Sequence, residues 1–205
     1  MNKSPKDATI TLLNCAFNRQ KYEQSIPKAQ ITYGKGGRMV RRIYVEKKKG
    51  FDVEAAGLLA DLQQNLHVAG LTGVRGFNRY DVDGIDDETY ERAKYTVFAE
   101  PAIDTAYDEE MPADVAATYF ATEYLPGQYD QRADSAAQCI KLMNVEADAT
   151  VKFARVVVLE GDVTAEQVEE VKKYVVNPVD SRVADEVKPD TLVTLFDEPA
   201  DVLVF

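Results

Sequence analysis

One histidine and two cysteines in 205 residues leave this chain short of the side chains that most nucleophilic and metal chemistry needs. Cys15 and Cys139 form no metal-binding pattern and no disulfide framework, which points to a reducing compartment, the cytoplasm. His67, between Leu66 and Val68 at the end of a predicted helix, reads as a surface residue. Cys139, beside Ile140 on a predicted inner stripe, reads as a packed thiol. No cysteine–histidine pair for catalysis and no metal-ligand set is evident. No apolar run approaches the roughly 20 residues of a transmembrane helix, and Thr11-Leu12-Leu13 is too short for the core of a secretory signal. Positive charge is also scarce: the net charge of −11 weighs against a nucleic-acid partner. Gly34-Lys35-Gly36-Gly37 has glycines and a lysine but no strand before it and no helix start after it, so it is not a phosphate loop.

What is present is an ordinary globular composition, 45% hydrophobic and 29% charged, with an uneven charge distribution. Residues 1–38 hold seven basic and two acidic residues, leaving 17 of the chain's 24 basic and 33 of its 35 acidic residues to the remainder. The first 38 residues show no sustained periodicity and read as a disordered extension or as untranslated leader sequence read in frame ahead of a true start at Met39. Lys35-Gly36-Gly37-Arg38 could be encoded by a purine-rich AAA-GGA-GGA-AGA run of the kind that precedes a bacterial start codon.

From Val40 the pattern becomes regular. Val40 to Lys47 reads as a strand, and Lys48-Lys49-Gly50 as a turn. Asp52 reads as the cap of a helix with Ala55, Leu58, Leu59, Leu62 and Leu66 inward. After Gly70 and Gly73 a strand follows, with Val74, Tyr80 and Val82 on one side and Phe77 on the other. Asp86 caps a second helix carrying Tyr90, Ala93 and Val97, Pro101 closes it, and Ile103-Asp104-Thr105 is extended. The same order then returns. Ala117 to Leu125 reads as a strand, Pro126-Gly127 as a turn, and Asp130 as the cap of a helix with Ala133, Ala136, Ala137, Ile140 and Met143 inward. Val151 to Leu159 is a β-branched strand. Thr164 with Gln167 is a capping-box pattern before a helix with Val168, Val171 and Val175 inward, and Asn177-Pro178 ends it.

Asp52 and Asp130, Asp86 and Thr164, Tyr90 and Val168, and Ala93 and Val171 are all 78 residues apart. We read a tandem duplication of one β-α-β-α-β unit, with half 1 over 39–115 and half 2 over 116–190. The fold class expected is α+β, two antiparallel sheets packed face to face as a pseudo-dimer with helices outside.

Three charged groups need assignment. Asp81, Asp83, Asp86, Asp87 and Glu88 miss the spacing of a calcium loop and read as caps before a helix. Glu166, Glu169, Glu170, Lys172 and Lys173 read as a solvated helix face. The third stands out: Leu125-Pro126-Gly127-Gln128-Tyr129-Asp130-Gln131-Arg132-Ala133-Asp134-Ser135, a turn and the first turns of a helix. Gln128, Asp130, Gln131, Arg132, Asp134 and Ser135 are the candidate binding or domain-contact residues, for a polar ligand or a partner domain. The alternative is a well-capped helix start with Arg132 paired to Asp130 or Asp134.

Met39 to Lys48, Leu71 to Arg75, Asn78 to Val82, Leu125 to Cys139 and Asn177 to Arg182 together resemble the N-terminal region of the long, single-chain phosphoribosylformylglycinamidine synthases. The resemblance runs from Met39 to about Leu192. It implies a domain like a dimer of the small PurS subunit fused into one chain, which packs between synthetase and glutaminase domains, helps assemble them and shapes the path for ammonia. The whole enzyme uses ATP, magnesium and glutamine to convert formylglycinamide ribonucleotide to formylglycinamidine ribonucleotide. Those cofactors and the catalytic residues are handled by other domains, so the resemblance implies no cofactor and no catalysis within these residues, and it makes residues 191–205 the start of a linker. A free-standing PurS-like scaffold bridging separate subunits and a small-molecule-binding regulatory domain are the competing expectations. Self-association is also expected, since surface meant for other domains would be left bare.

Overall fold

The computed structural model describes residues 39–116 and 118–192. The chain divides between residues 37 and 38. The expected leader over 1–38, with Cys15 and the Gly34–Gly37 run, lies outside the described residues, as do residues 193–205 of the expected linker. The elements are β1 (Arg41–Lys47), α1 (Val53–Gln64), β2 (Leu71–Asp83), α2 (Asp87–Ala93) continuing into a π turn (Lys94–Phe98), β3 (Asp104–Asp108), β4 (Tyr119–Tyr124), α3 (Gln131–Met143), β5 (Thr150–Gly161), α4 (Ala165–Val175) and β6 (Ser181–Val183).

Local chemistry accounts for most of the boundaries. The Asp86 carboxylate accepts from the Thr89 N–H at 2.7 Å. Asp130 accepts from the N–H groups of Arg132 and Ala133, both at 3.0 Å. Thr164 and Gln167 form a reciprocal capping box at the start of α4. Thr164→Ala is expected to cost about 1 kcal/mol in a urea unfolding experiment, since the Gln167 N–H then loses its acceptor. Asp52 departs from expectation. Its carboxylate accepts from the Gly50 N–H in the preceding turn, and makes no capping bond to α1. The second helix also ends differently. Its last turn widens to a π turn, which carries Phe98 into the core against Tyr80, ring centroids 5.0 Å apart, and leaves Val97 half-buried.

The six strands form one antiparallel sheet in the order β3-β1-β2-β5-β4-β6. The expected face-to-face packing of two sheets is therefore corrected. The halves meet edge to edge, through β2 and β5, paired from Leu71↔Gly161 to Asp83↔Thr150. Two physical reasons favour this. Central pairing removes the exposed edges of the two longest strands. The face opposite the helices is also too charged to stack on a copy, because β1 and β2 place Arg42, Glu46, Arg75, Arg79 and Asp81 among Tyr44 and Phe77 on it.

The halves are not separate compact bodies. On the helix face, one apolar cluster joins Ile43, Tyr80, Val82, Tyr90 and Phe98 of the first half to Ala136 and Ile140 of the second. Another joins Ala55, Leu62 and Val74 to Phe120, Val157, Leu159 and Val171. So α1 shares its core with α4, and α2 shares its core with α3. On the opposite face Phe77, Val156 and Val158 pack with Ala184, Met111 and Val115, from the segments after β3 and β6.

Candidate functional site

The segment singled out in the sequence begins with a turn. Gly127 takes φ of +89°, which glycine adopts without strain, and the Gln128 N–H returns to the Leu125 carbonyl at 3.0 Å. The Leu125 N–H donates to the Asp180 carbonyl at 2.8 Å, tying this turn to the connection between α4 and β6. Two of the segments that carry the sequence resemblance, Leu125 to Cys139 and Asn177 to Arg182, are thus adjacent in space.

The alternative stated above holds for the cap, which Asp130 provides, but not for the pairing of Arg132. Among the described residues Arg132 forms an ion pair with neither Asp130 nor Asp134. Asp130 caps the helix, and Asp134 accepts from the Tyr129 hydroxyl at 2.7 Å and the Gln138 amide at 2.6 Å. The Arg132 guanidinium instead lies over the Phe153 ring, 5.4 Å from its centroid. Beside it, burial pushes the Tyr80 hydroxyl above its ordinary value, and the positive charge of Arg132 works against that shift.

Arg132 borders a cavity of about 310 Å³ on the helix face, over the centre of the sheet. Its floor is the facing pair Asn78 on β2 and Arg155 on β5. Arg155 meets Glu54 of α1 at 3.0 Å. Asn177, Asp180 and Ser181 close the far side. The cavity thus offers two guanidiniums, two carboxamides, carboxylates and the Phe153 ring, a set suited to holding a polar group or a partner's side chain. Gln128 and Asp130 border a second cavity, of about 620 Å³, with Tyr124, Lys152 and Arg182. Gln131 and Ser135 are exposed on α3, and with Asp134 they border neither of these two cavities. The six candidate residues are therefore split, not gathered.

Asn78, Arg155 and Glu54 escaped the sequence reading. A signal for two of them existed. Asn78 falls in the alternation of Val74, Tyr80 and Val82, and Arg155 in that of Phe153, Val157 and Leu159, so each is a polar residue at a position whose neighbours face the core.

The remaining candidates are accounted for by their surroundings. Cys139 is exposed, not packed. Ala133, Ala136 and Ile140 define the buried stripe of α3, and Cys139 lies about a quarter-turn from its centre, on the flank. His67 is exposed just beyond α1, with φ of +54°. Of the acidic run, Asp81 pairs with Arg42, Asp83 accepts from Thr191 and Leu192, Asp86 caps α2, and Asp87 pairs with Arg41. Among the described residues no group of three histidine, cysteine or acidic side chains is disposed to hold a metal ion, and no helix is long and apolar enough to cross a membrane. Comparison with models of known protein families, and with characterised proteins, finds no match to this chain.

Proposed function

We propose that this chain is the N-terminal, PurS-like part of a phosphoribosylformylglycinamidine synthase. It acts in the cytoplasm as an assembly and ammonia-channelling domain, and it does not carry out the amidation itself. The reading rests on the sequence resemblance together with one observation: the strand order is the same from either end once the second three strands are matched to the first three. That order is what a duplicated unit gives when the copies pair through equivalent strands.

The spacing supports duplication in detail. Caps and inward helix positions repeat at 78 residues, as at Asp86 and Thr164. A two-fold perpendicular to a sheet must keep each residue on its own face, which requires an odd spacing in the strands. A spacing of 77 satisfies this, relating Val74 to Val151, Tyr80 to Val157 and Val82 to Leu159, all on the helix face. The axis then falls on the facing pair Asn78 and Arg155, at the floor of the central cavity. The one-residue difference is absorbed between strand and helix.

Each half sends its helices into clusters shared with the other, as expected of a dimer written into one chain. ATP, magnesium and glutamine belong to the synthetase and glutaminase domains, which are the partners in this reading.

The test is reconstitution. The chain is mixed with the synthetase and glutaminase portion of a long single-chain enzyme made without its own N-terminal domain. A stable complex with recovered glutamine-dependent amidation of formylglycinamide ribonucleotide is expected. Absence of both a complex and recovered activity would overturn the proposal. A complex formed only with separately encoded small-type subunits would favour the free-standing scaffold instead.

A further inference from the structure

A different site lies on the face of the sheet away from the helices. Arg42 and Asp81 face each other across β1 and β2 and form a bidentate pair, Nε to Oδ1 at 2.5 Å and Nη2 to Oδ2 at 2.8 Å. The remaining Arg42 nitrogen, Nη1, donates to the Glu186 carbonyl at 2.8 Å. Arg42 and Asp81 therefore neutralise one another. Arg79, two residues along β2, shares that carboxylate only at longer range. Its side chain is 7% exposed, and its Nε is 3.9 Å from Asp81, beyond hydrogen-bond reach. Nη1 donates to the Asp185 carbonyl at 2.9 Å. Among the described residues, nothing accepts from Nε or Nη2.

A guanidinium cannot shed its proton in a protein, so burial does not neutralise it. Arg79 shares Asp81 with Arg42 only through that long contact, so its charge is partly compensated, and a buried charge so placed is costly unless a further opposite charge reaches it. Burial, and then the neighbouring Arg42 charge, lower the hold of Arg79 on its proton, in keeping with a surplus of positive charge here. Arg79 borders a cavity of about 260 Å³, whose rim also carries Lys152 and Arg182. The acidic side chains at that cavity are Asp81, Glu123 and Asp185. Asp81 serves Arg42, Glu123 is held by Arg182 at 2.7 Å, and Asp185 accepts from the Val187 N–H at 3.0 Å. Four cations against three carboxylates leave one positive charge, in a chain whose net charge is −11.

We propose that this cavity is a binding site for a small oxyanion, a carboxylate or phosphate group, held by the free Nε–Nη2 edge of Arg79 with Lys152 at the rim. The edge of a guanidinium matches the two oxygens of such a group in a bidentate fashion. The site is independent of the central cavity on the helix face and of the reading of the chain as an assembly domain.

The test is thermal unfolding of the full chain in chloride, with inorganic phosphate or acetate substituted at constant ionic strength and pH. A ligand that binds only the folded state raises the midpoint with its concentration. A rise that depends on Arg79 is expected with phosphate, with acetate, or with both, and the pattern tells which group the site prefers. Arg79→Met should abolish the rise while unfolding in chloride at or above the parent midpoint, because it removes a buried charge that Asp81 meets only at 3.9 Å. Lys152→Gln, at an exposed position, should weaken the rise and leaves the core intact should the first variant not fold. No ligand-dependent rise with either anion, or an undiminished rise in both variants, would overturn the proposal.

Discussion

Asp81→Ala is expected to destabilise the folded chain by about 3–5 kcal/mol, read as a lower denaturant midpoint. The carboxylate is the single buried anion between two buried guanidiniums, with side-chain exposures of 4% for Arg42, 5% for Asp81 and 7% for Arg79. Removing it strands both cations and leaves the Arg42 Nε and Nη2 without acceptors. The loss should therefore exceed the worth of one hydrogen bond, about 1 kcal/mol net. The same substitution made on top of Arg79→Met should cost measurably less, since only one cation is then stranded. A loss under about 1 kcal/mol in the single variant would mean that water reaches this cluster and the charges are not buried as described.

Ile140→Ala is expected to cost about 2–5 kcal/mol, the range for truncating a fully buried aliphatic side chain. Its importance lies in where the loss is felt. Ile140 belongs to the second half by sequence, yet it is 0% exposed in a cluster made largely of first-half residues, Tyr80, Val82, Tyr90, Ala93 and Phe98 among them. Unfolding should stay a single transition with an unchanged denaturant slope, because neither half has a core of its own to retain. A split into two transitions, the first half melting as in the parent chain, would mean that the clusters are not shared.

Much of this architecture was legible in the residues. The caps at Asp86, Asp130 and Thr164 and the strand at Val151–Leu159 announce themselves locally, through short-range hydrogen bonding and periodicity. The sheet order does not. Alternation along β2 says which residues share a face, but not which strand lies alongside. The pairing of Arg42 with Asp81 became visible only with the register of β1 against β2. The π turn at Lys94–Phe98 was hidden because Val97 and Phe98 are both apolar, and either could face inward. Cys139 was misplaced because helical periodicity defines a stripe broadly enough to take in its flank.

The candidate site was legible in the same uneven way. Arg132 and the Asn177–Ser181 connection stand out as polar residues at turns and helix starts. The cavity they border exists because α1 with α4 and α2 with α3 form two separate clusters over the sheet, and that separation follows from tertiary pairing alone. Asn78 and Arg155 come to face each other only when the two halves pair.

Native-state hydrogen exchange of the intact chain addresses the shared core most directly. Amides in the middle of β2, from Phe77 to Val82, and of β5, from Val151 to Val156, should open with one common free energy equal to that of global unfolding, and should shift together in Ile140→Ala. Exchange of one strand at a much lower free energy, with the other still protected, would contradict a single core built from both halves.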